Sequence, residues 1–273
     1  MSLKLRSGSL YATRKRALSH ATGCPYLETP PGISIEDFRP SPSGLLNLTR
    51  SIPMNKKVAV ILSGCGVYDG SEIYESVITL LRLDQRGATV RCFAPNIAQM
   101  HVINHLTGDE MPESRNVLIE SARLARGEIS DLRELNADEF DALIMPGGFG
   151  AAKNLSDFAT QGAACKTLPD VLSAAQAFAK AGKPIGMMCI APTMAAQIFG
   201  AGVVCTLGSD EDPAADAARE MGIEHQACEV TELVEDSRHN LVTTPAYMLA
   251  QSISEAASGI YKLVDRVLEL THK

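Results

Sequence analysis

Cys189 follows directly on a short apolar run, Pro184-Ile185-Gly186-Met187-Met188, and is followed at once by Ile190-Ala191-Pro192. That is the layout of a nucleophile elbow, in which a strand delivers the reactive side chain to a sharp turn and a helix leaves immediately. Ala191, small and two places on, limits crowding at the turn, and Pro192 suits a first helical turn. A thiol at a helix N-terminus feels the positive end of the helix dipole, so the layout predicts that Cys189 loses its proton readily. Met187 departs from the strict pattern, which has Gly two places before the nucleophile. A cysteine in an apolar run also serves as core filler, so the context of the other strand ends carries the reading.

Two other segments supply that context. Pro146-Gly147-Gly148-Phe149-Gly150 follows the apolar run 141–145. A glycine pair there either makes a tight turn or lets backbone N–H groups point into a site. Ser63-Gly64-Cys65-Gly66-Val67-Tyr68-Asp69-Gly70 follows the first apolar run and spells G-x-G-x-x-x-G. A dinucleotide site of that kind would call for an acid at the end of the next strand, where Cys92-Phe93-Ala94-Pro95-Asn96 has none.

The elements that must position these segments alternate along the chain. Strands are expected at 58–62, 89–93, 141–145, 184–188 and 203–206. Helices are expected at 71–85, 113–125 and 169–181, from about 191, and from 246 to 270. Strands separated by helices in this rhythm predict an α/β fold with a mostly parallel sheet covered on both faces. In such sheets ligands sit at the carboxyl ends of strands, and all three unusual segments fall on that edge.

The chain has 273 residues with 45% hydrophobic content, enough for a sizeable core, and a formal net charge of −7. That balance disfavours a nucleic-acid partner, and no uninterrupted apolar stretch reaches the roughly 18–20 residues of a membrane helix. Residues 1–55 differ from the rest: seven basic residues oppose three acidic ones, the first acid is Glu28, and Pro-rich breakers interrupt any periodicity. They read as an N-terminal extension, with residues 56–273 as the folded domain. The extension resembles an organelle transit peptide, which would make the protein mitochondrial. Alternatively, Met54 opens the chain just before the first strand, and the protein is cytoplasmic. Seven cysteines without a C-x-x-C pair suit a reducing compartment.

Pro-Gly-Gly-x-Gly-Ala-x-x-Asn-Leu-Ser at 146–156 and Cys-Ile-Ala-Pro-Thr at 189–193 resemble the PfpI-like branch of the class I glutamine-amidotransferase-like superfamily. Leu62 to Glu72 and the stretch 242–251, Val-Thr-Thr-Pro-Ala-Tyr-Met-Leu-Ala-Gln, are similar to the ElbB-type glyoxalase-like proteins within it. The resemblance covers residues 56–271. It implies a flavodoxin-like three-layer sandwich, a cysteine on an elbow, a glutamate from the first helix hydrogen-bonded to the thiol, and a homodimer. The run Glu-x-Val-Ile and its spacing to Gly87 match Glu75 to that glutamate, with Glu72 one turn earlier as the fallback. The oxyanion role falls to the backbone N–H groups of Gly148 and Ile190, beside Gly147.

A glutaminase triad needs a downstream His with Glu two places on, but His225 is followed by Gln-Ala and His239 by Asn-Leu. Protease-like and chaperone-like members place His directly after the cysteine, where this chain has Ile190. His101 and His105 share a spacing of four without a nearby acidic ligand, which favours surface roles over a metal site. A Cys–Glu pair without histidine suits small reactive aldehydes such as glyoxal, converted to hydroxy acids without metal, glutathione or nucleotide. The rival expectation is a non-catalytic redox sensor or interaction protein in which Cys189 oxidises and changes partner binding.

Overall fold

The computed structural model describes residues 56–272. The expected boundary at residue 55, and the transit-peptide and Met54 readings, concern residues outside that range. Nine strands are described: β1 Lys57–Ile61, β2 Thr89–Ala94, β3 Ile129–Asp131, β4 Ala142–Met145, β5 Ile185–Met188, β6 Val204–Cys205, β7 Glu224–His225, β8 Val234–Asp236 and β9 Leu241–Thr244. Eight α-helices accompany them: α1 Ile73–Gln85, α2 Val117–Leu124, α3 Phe149–Lys153, α4 Phe158–Gln161, α5 Pro169–Lys180, α6 Ala195–Phe199, α7 Pro213–Glu220 and α8 Ile253–Leu270.

The main sheet has seven strands in the order β3-β2-β1-β4-β5-β9-β8, parallel except for the β8–β9 pair. Strands β4 and β5 and residues 58–61 of β1 are continuous apolar runs because both faces are covered, while β9 buries two threonines beside Leu241 and Val242. Alternate residues serve opposite cores. Ala59, Ile61, Leu143, Met145, Ile185 and Met187 pack with Val171, Ala175 and Phe178 of α5 on one face. Val58, Val60, Ala142, Ile144, Met188 and Val242 pack with Ile78 and Leu83 of α1 and with Leu263, Val264 and Val267 of α8 on the other. The result is the expected three-layer, flavodoxin-like sandwich. Gly186 sits where α8 comes closest, since a Cβ there would lie 2.8 Å from a Leu263 methyl.

Several expected boundaries move for identifiable reasons. The helix expected from 246 begins at Ile253, where Ser252 caps it by accepting from the Glu255 amide. Residues 246–248 form a single 3₁₀ turn instead, entered through Ala246 at φ +46°. The helix expected from 113 begins at Val117 because Asn116 supplies the cap, its side chain accepting from the Ile119 amide. The segment after Cys189 is a 3₁₀ turn over Ala191–Met194 before α6, not a helix proper. Among the described residues no helix is long and apolar enough to cross a membrane.

Candidate active site

Four neighbouring strands, β1, β4, β5 and β9, end on the same edge, and the chain segments leaving them build the site. The glycines explain how four loops fit so closely. A Cβ on Gly147 would stand 2.5 Å from the Cys189 Cβ and 2.9 Å from a Glu75 carboxyl oxygen. Gly148 lies at φ +89°, and a Cβ there would meet the Glu72 nitrogen at 2.3 Å. The pair is glycine because the chain's own loops approach it too closely for a Cβ. Asn154 ties the loops together, donating to the carbonyls of Ser63 and Asp69 and accepting from the Met100 amide.

Cys189 occupies the elbow at φ +60°, a left-handed conformation that is costly for any residue with a Cβ. It is 8% exposed, and its own amide donates to the Thr244 carbonyl on β9. Glu75, in the first turn of α1, has no exposure at all. One of its carboxyl oxygens accepts from the Gly147 amide at 2.8 Å and the other from the Tyr247 amide at 3.2 Å. The carboxyl and the Cys189 thiol lie either side of Gly147 and interact electrostatically, and the amides of Gly148 and Ile190 act to favour charge on the sulfur. Cys189, Glu75, Gly147, Gly148 and Ile190 thus meet at one point.

Glu72, the fallback, precedes α1 instead of lying on its first turn. It is the extended N-cap of α1, and its carboxylate turns back to accept from the Glu75 amide at 2.6 Å. It nevertheless lines a cavity of about 440 Å³ over Cys189, together with Ile190, Phe149, Phe158, Asp212 and Tyr247.

The electrostatics overturn one expectation. Burial pushes the Cys189 thiol well above its usual value, and the adjacent Glu75 carboxylate adds to the rise. The Gly148 and Ile190 amides oppose it without prevailing. One 3₁₀ turn after the elbow does not compensate for removing the sulfur from water. Burial likewise raises Glu75 to about 7, helped by the Glu72 carboxyl and opposed by the Tyr247 and Gly147 amides and the thiol. The resting pair is therefore a thiol beside a carboxyl group that ionises near neutrality, rather than a preformed thiolate.

His225 and His239 stand away from this cluster: His225 pairs with Asp210 and Arg219, and His239 with Asp236. His105 clasps the 64–70 loop, accepting from the Tyr68 amide. Tyr247, Phe149, Phe158 and Asp212 are site residues that the sequence reading did not single out. Tyr247 acts through its main chain, which no residue type advertises, although it sits in the Thr-Thr-Pro-Ala-Tyr stretch that carried the resemblance.

No family profile matches the chain. A human glutamine amidotransferase-like class 1 domain-containing protein 3, described as mitochondrial, is 46% identical over 243 residues, covering 85% of this chain and 90% of the relative. A rat ES1 protein homolog, also described as mitochondrial, is 46% identical over 226 residues, covering 80% of this chain and 85% of the relative. Among solved structures, an isoprenoid biosynthesis protein with an amidotransferase-like domain from Ehrlichia chaffeensis superposes with a TM-score of 0.74 at 36% identity. That match covers 79% of this chain and 99% of the other. On this similarity in sequence and fold, the chain belongs to the glutamine amidotransferase-like class 1 domain family that includes the ES1 proteins.

Proposed function

We propose that this protein is a glyoxalase-like enzyme that converts glyoxal-type carbonyls to hydroxy acids, with Cys189 as nucleophile and Glu75 as proton carrier. The observation that carries the reading is the buried thiol–carboxyl pair beneath the cavity, with Gly148 and Ile190 beside Cys189 on the cavity wall. Ionised Glu75 takes the thiol proton as sulfur adds to an aldehyde carbon, and the proton passes to the new oxygen to give a hemithioacetal. Glu75 then removes the proton from that carbon and returns it to the adjacent one, while the amides of Gly148 and Ile190 hold the enediolate oxygen. The product is a thioester of the hydroxy acid. Water cleaves it, releasing glycolate and restoring the thiol, so that glyoxal and one water give one glycolic acid. A base that titrates near 7 is matched to this work at neutral pH.

The test is multiple-turnover glycolate formation from glyoxal by wild type, Cys189→Ser and Glu75→Gln. Turnover abolished by both substitutions supports the reading, and turnover that survives Cys189→Ser overturns it. No turnover in wild type, with one equivalent of peroxide oxidising Cys189, would favour the redox-sensor alternative. The raised thiol argues against that alternative, because spontaneous oxidation proceeds through an exposed thiolate.

Two further proposals accompany this one. The exposed apolar face of α1, made of Ile73, Tyr74, Val77 and Leu81, suits burial in a homodimer. Light scattering on wild type and a Tyr74→Asp, Val77→Asp variant tests it: dimer turning to monomer is expected, and a monomeric wild type refutes it. The relatives described as mitochondrial support the transit-peptide reading over a cytoplasmic start at Met54. The mass of the mature endogenous chain decides between the two.

A further inference from the structure

The cavity over Cys189 carries two carboxyl groups, Glu72 and Asp212, and three aromatic rings, Phe149, Phe158 and Tyr247, on its walls. Among the described residues no Lys, Arg or His side chain lines it. Lys153 lines an adjoining cavity of about 410 Å³ that shares Phe149, Phe158 and Ile190; its ammonium donates to the Tyr68 carbonyl at 2.7 Å and lies over the Phe149 ring, 5.4 Å from its centroid, which leaves Phe158 and Tyr247 as the rings open to a bound cation. Glu75 sets a third carboxyl group next to Gly147 and Cys189, outside the cavity lining. Carboxylates and the faces of aromatic rings both attract cations, and inside a partly enclosed pocket their field is screened less than on an open surface. The same field repels anions.

We propose, on the reading of Cys189 as a carbonyl-handling nucleophile, that the site selects carbonyl compounds bearing an ammonium or guanidinium group and rejects those bearing a carboxylate. A cationic 2-oxoaldehyde is the substrate class that fits: the aldehyde carbon meets the Cys189 sulfur, and the cation lies against Asp212, Glu72 and the rings. Asp212 is the specificity-determining residue. It borders the cavity and caps α7, its Oδ1 accepting from the Ala214 amide at 2.8 Å. Asn caps a helix as well as Asp does, so Asp212→Asn removes the charge while keeping the element.

The test reads the thiol directly and needs no turnover. Full-length protein is treated with matched methanethiosulfonates carrying an ammonium, no charge or a sulfonate. In each case the Cys189 sulfur attacks the sulfenyl sulfur, a mixed disulfide forms, methanesulfinate leaves, and the thiol proton passes through Glu75 to solvent. Modification of Cys189 is followed by peptide mass, and each rate is normalised to the same reagent's rate with 2-mercaptoethanol. The expected normalised preference for the ammonium over the sulfonate reagent is at least about tenfold, shrinking with added salt and falling at least about threefold in Asp212→Asn. A ratio near or below one overturns the proposal. So does a high ratio that neither Asp212→Asn nor Glu72→Gln reduces. Absent glycolate formation would overturn the catalytic reading yet leave this ratio unchanged, so the two failures are distinguishable.

Discussion

Replacing Glu75 with Gln changes the pH dependence of folding, by an amount set by its burial. Glu75 has no solvent exposure, and burial, with the Glu72 carboxyl adding to it, lifts its carboxyl from 4.5 to about 7 in the folded protein. The folded chain thus retains this proton over a range in which the unfolded chain has released it. Stability from the group is complete below about pH 4.5 and is lost as pH rises through about 7. A rise of that size corresponds to on the order of 3 kcal/mol. An amide does not titrate, and its NH₂ group must face one of the two amides that Glu75 now accepts from, Gly147 or Tyr247. That second effect costs about 1–3 kcal/mol but is independent of pH. Urea unfolding of wild type and Glu75→Gln from about pH 5 to about pH 8 separates the two effects, because every other titrating group is common to both proteins. The stability advantage of wild type should shrink by about 2–3 kcal/mol across that range. A difference that stays constant to within about 0.5 kcal/mol would refute the claim that the buried carboxyl titrates near neutrality.

Other perturbations follow from single contacts. Cys189→Gly should be more stable than Cys189→Ala by about 1 kcal/mol in thermal or urea unfolding, because only Gly adopts φ +60° without strain. Gly147→Ala forces a methyl to 2.5 Å from the Cys189 Cβ, so stability should fall by about 1–3 kcal/mol, with glycolate formation dropping on the order of 100-fold. At the opposite end of β9, burial acts to raise Asp236, yet the Val204 amide, His239 and Arg238 hold its carboxyl down to about 2 from 3.8. Asp236→Ala should therefore cost on the order of 2 kcal/mol at neutral pH. That cost should disappear in acid unfolding experiments as pH falls through about 2.

The parallel sheet was legible because β1, β4 and β5 are short apolar runs flanked by glycine-containing turns and separated by amphipathic helices; β9, half threonine, did not stand out in this way. The elbow was legible because Cys189 ends such a run and Pro192 follows in a helical position. Glu75 could be matched only through family resemblance, since its two hydrogen-bond donors, the amides of Gly147 and Tyr247, are main-chain groups remote in sequence. The raised Cys189 thiol did not show in the sequence because local signals report the turn that follows it, whereas its burial involves residues remote in sequence, among them Glu75, Gly147 and Thr244. Helices α3 and α4 were missed because they have only five and four residues, too few for a periodicity to register. The late start of α8 was missed for a different reason. Ala246, in a left-handed conformation that its residue type does not advertise, starts a separate 3₁₀ turn over 246–248, and the true cap is Ser252.

Cys189 does its chemistry, on the function proposed above, as a thiol activated by the Glu75 carboxylate. The most direct measurement is kcat/KM for conversion of glyoxal to glycolate between about pH 5 and about pH 9, in wild type, Glu75→Gln and Cys189→Ser. Wild-type kcat/KM should rise through an apparent pKa near 7, following ionisation of Glu75, and both variants should be inactive across the range. A wild-type profile that is flat through neutrality, or a Cys189→Ser protein that still turns over, would contradict this mechanism.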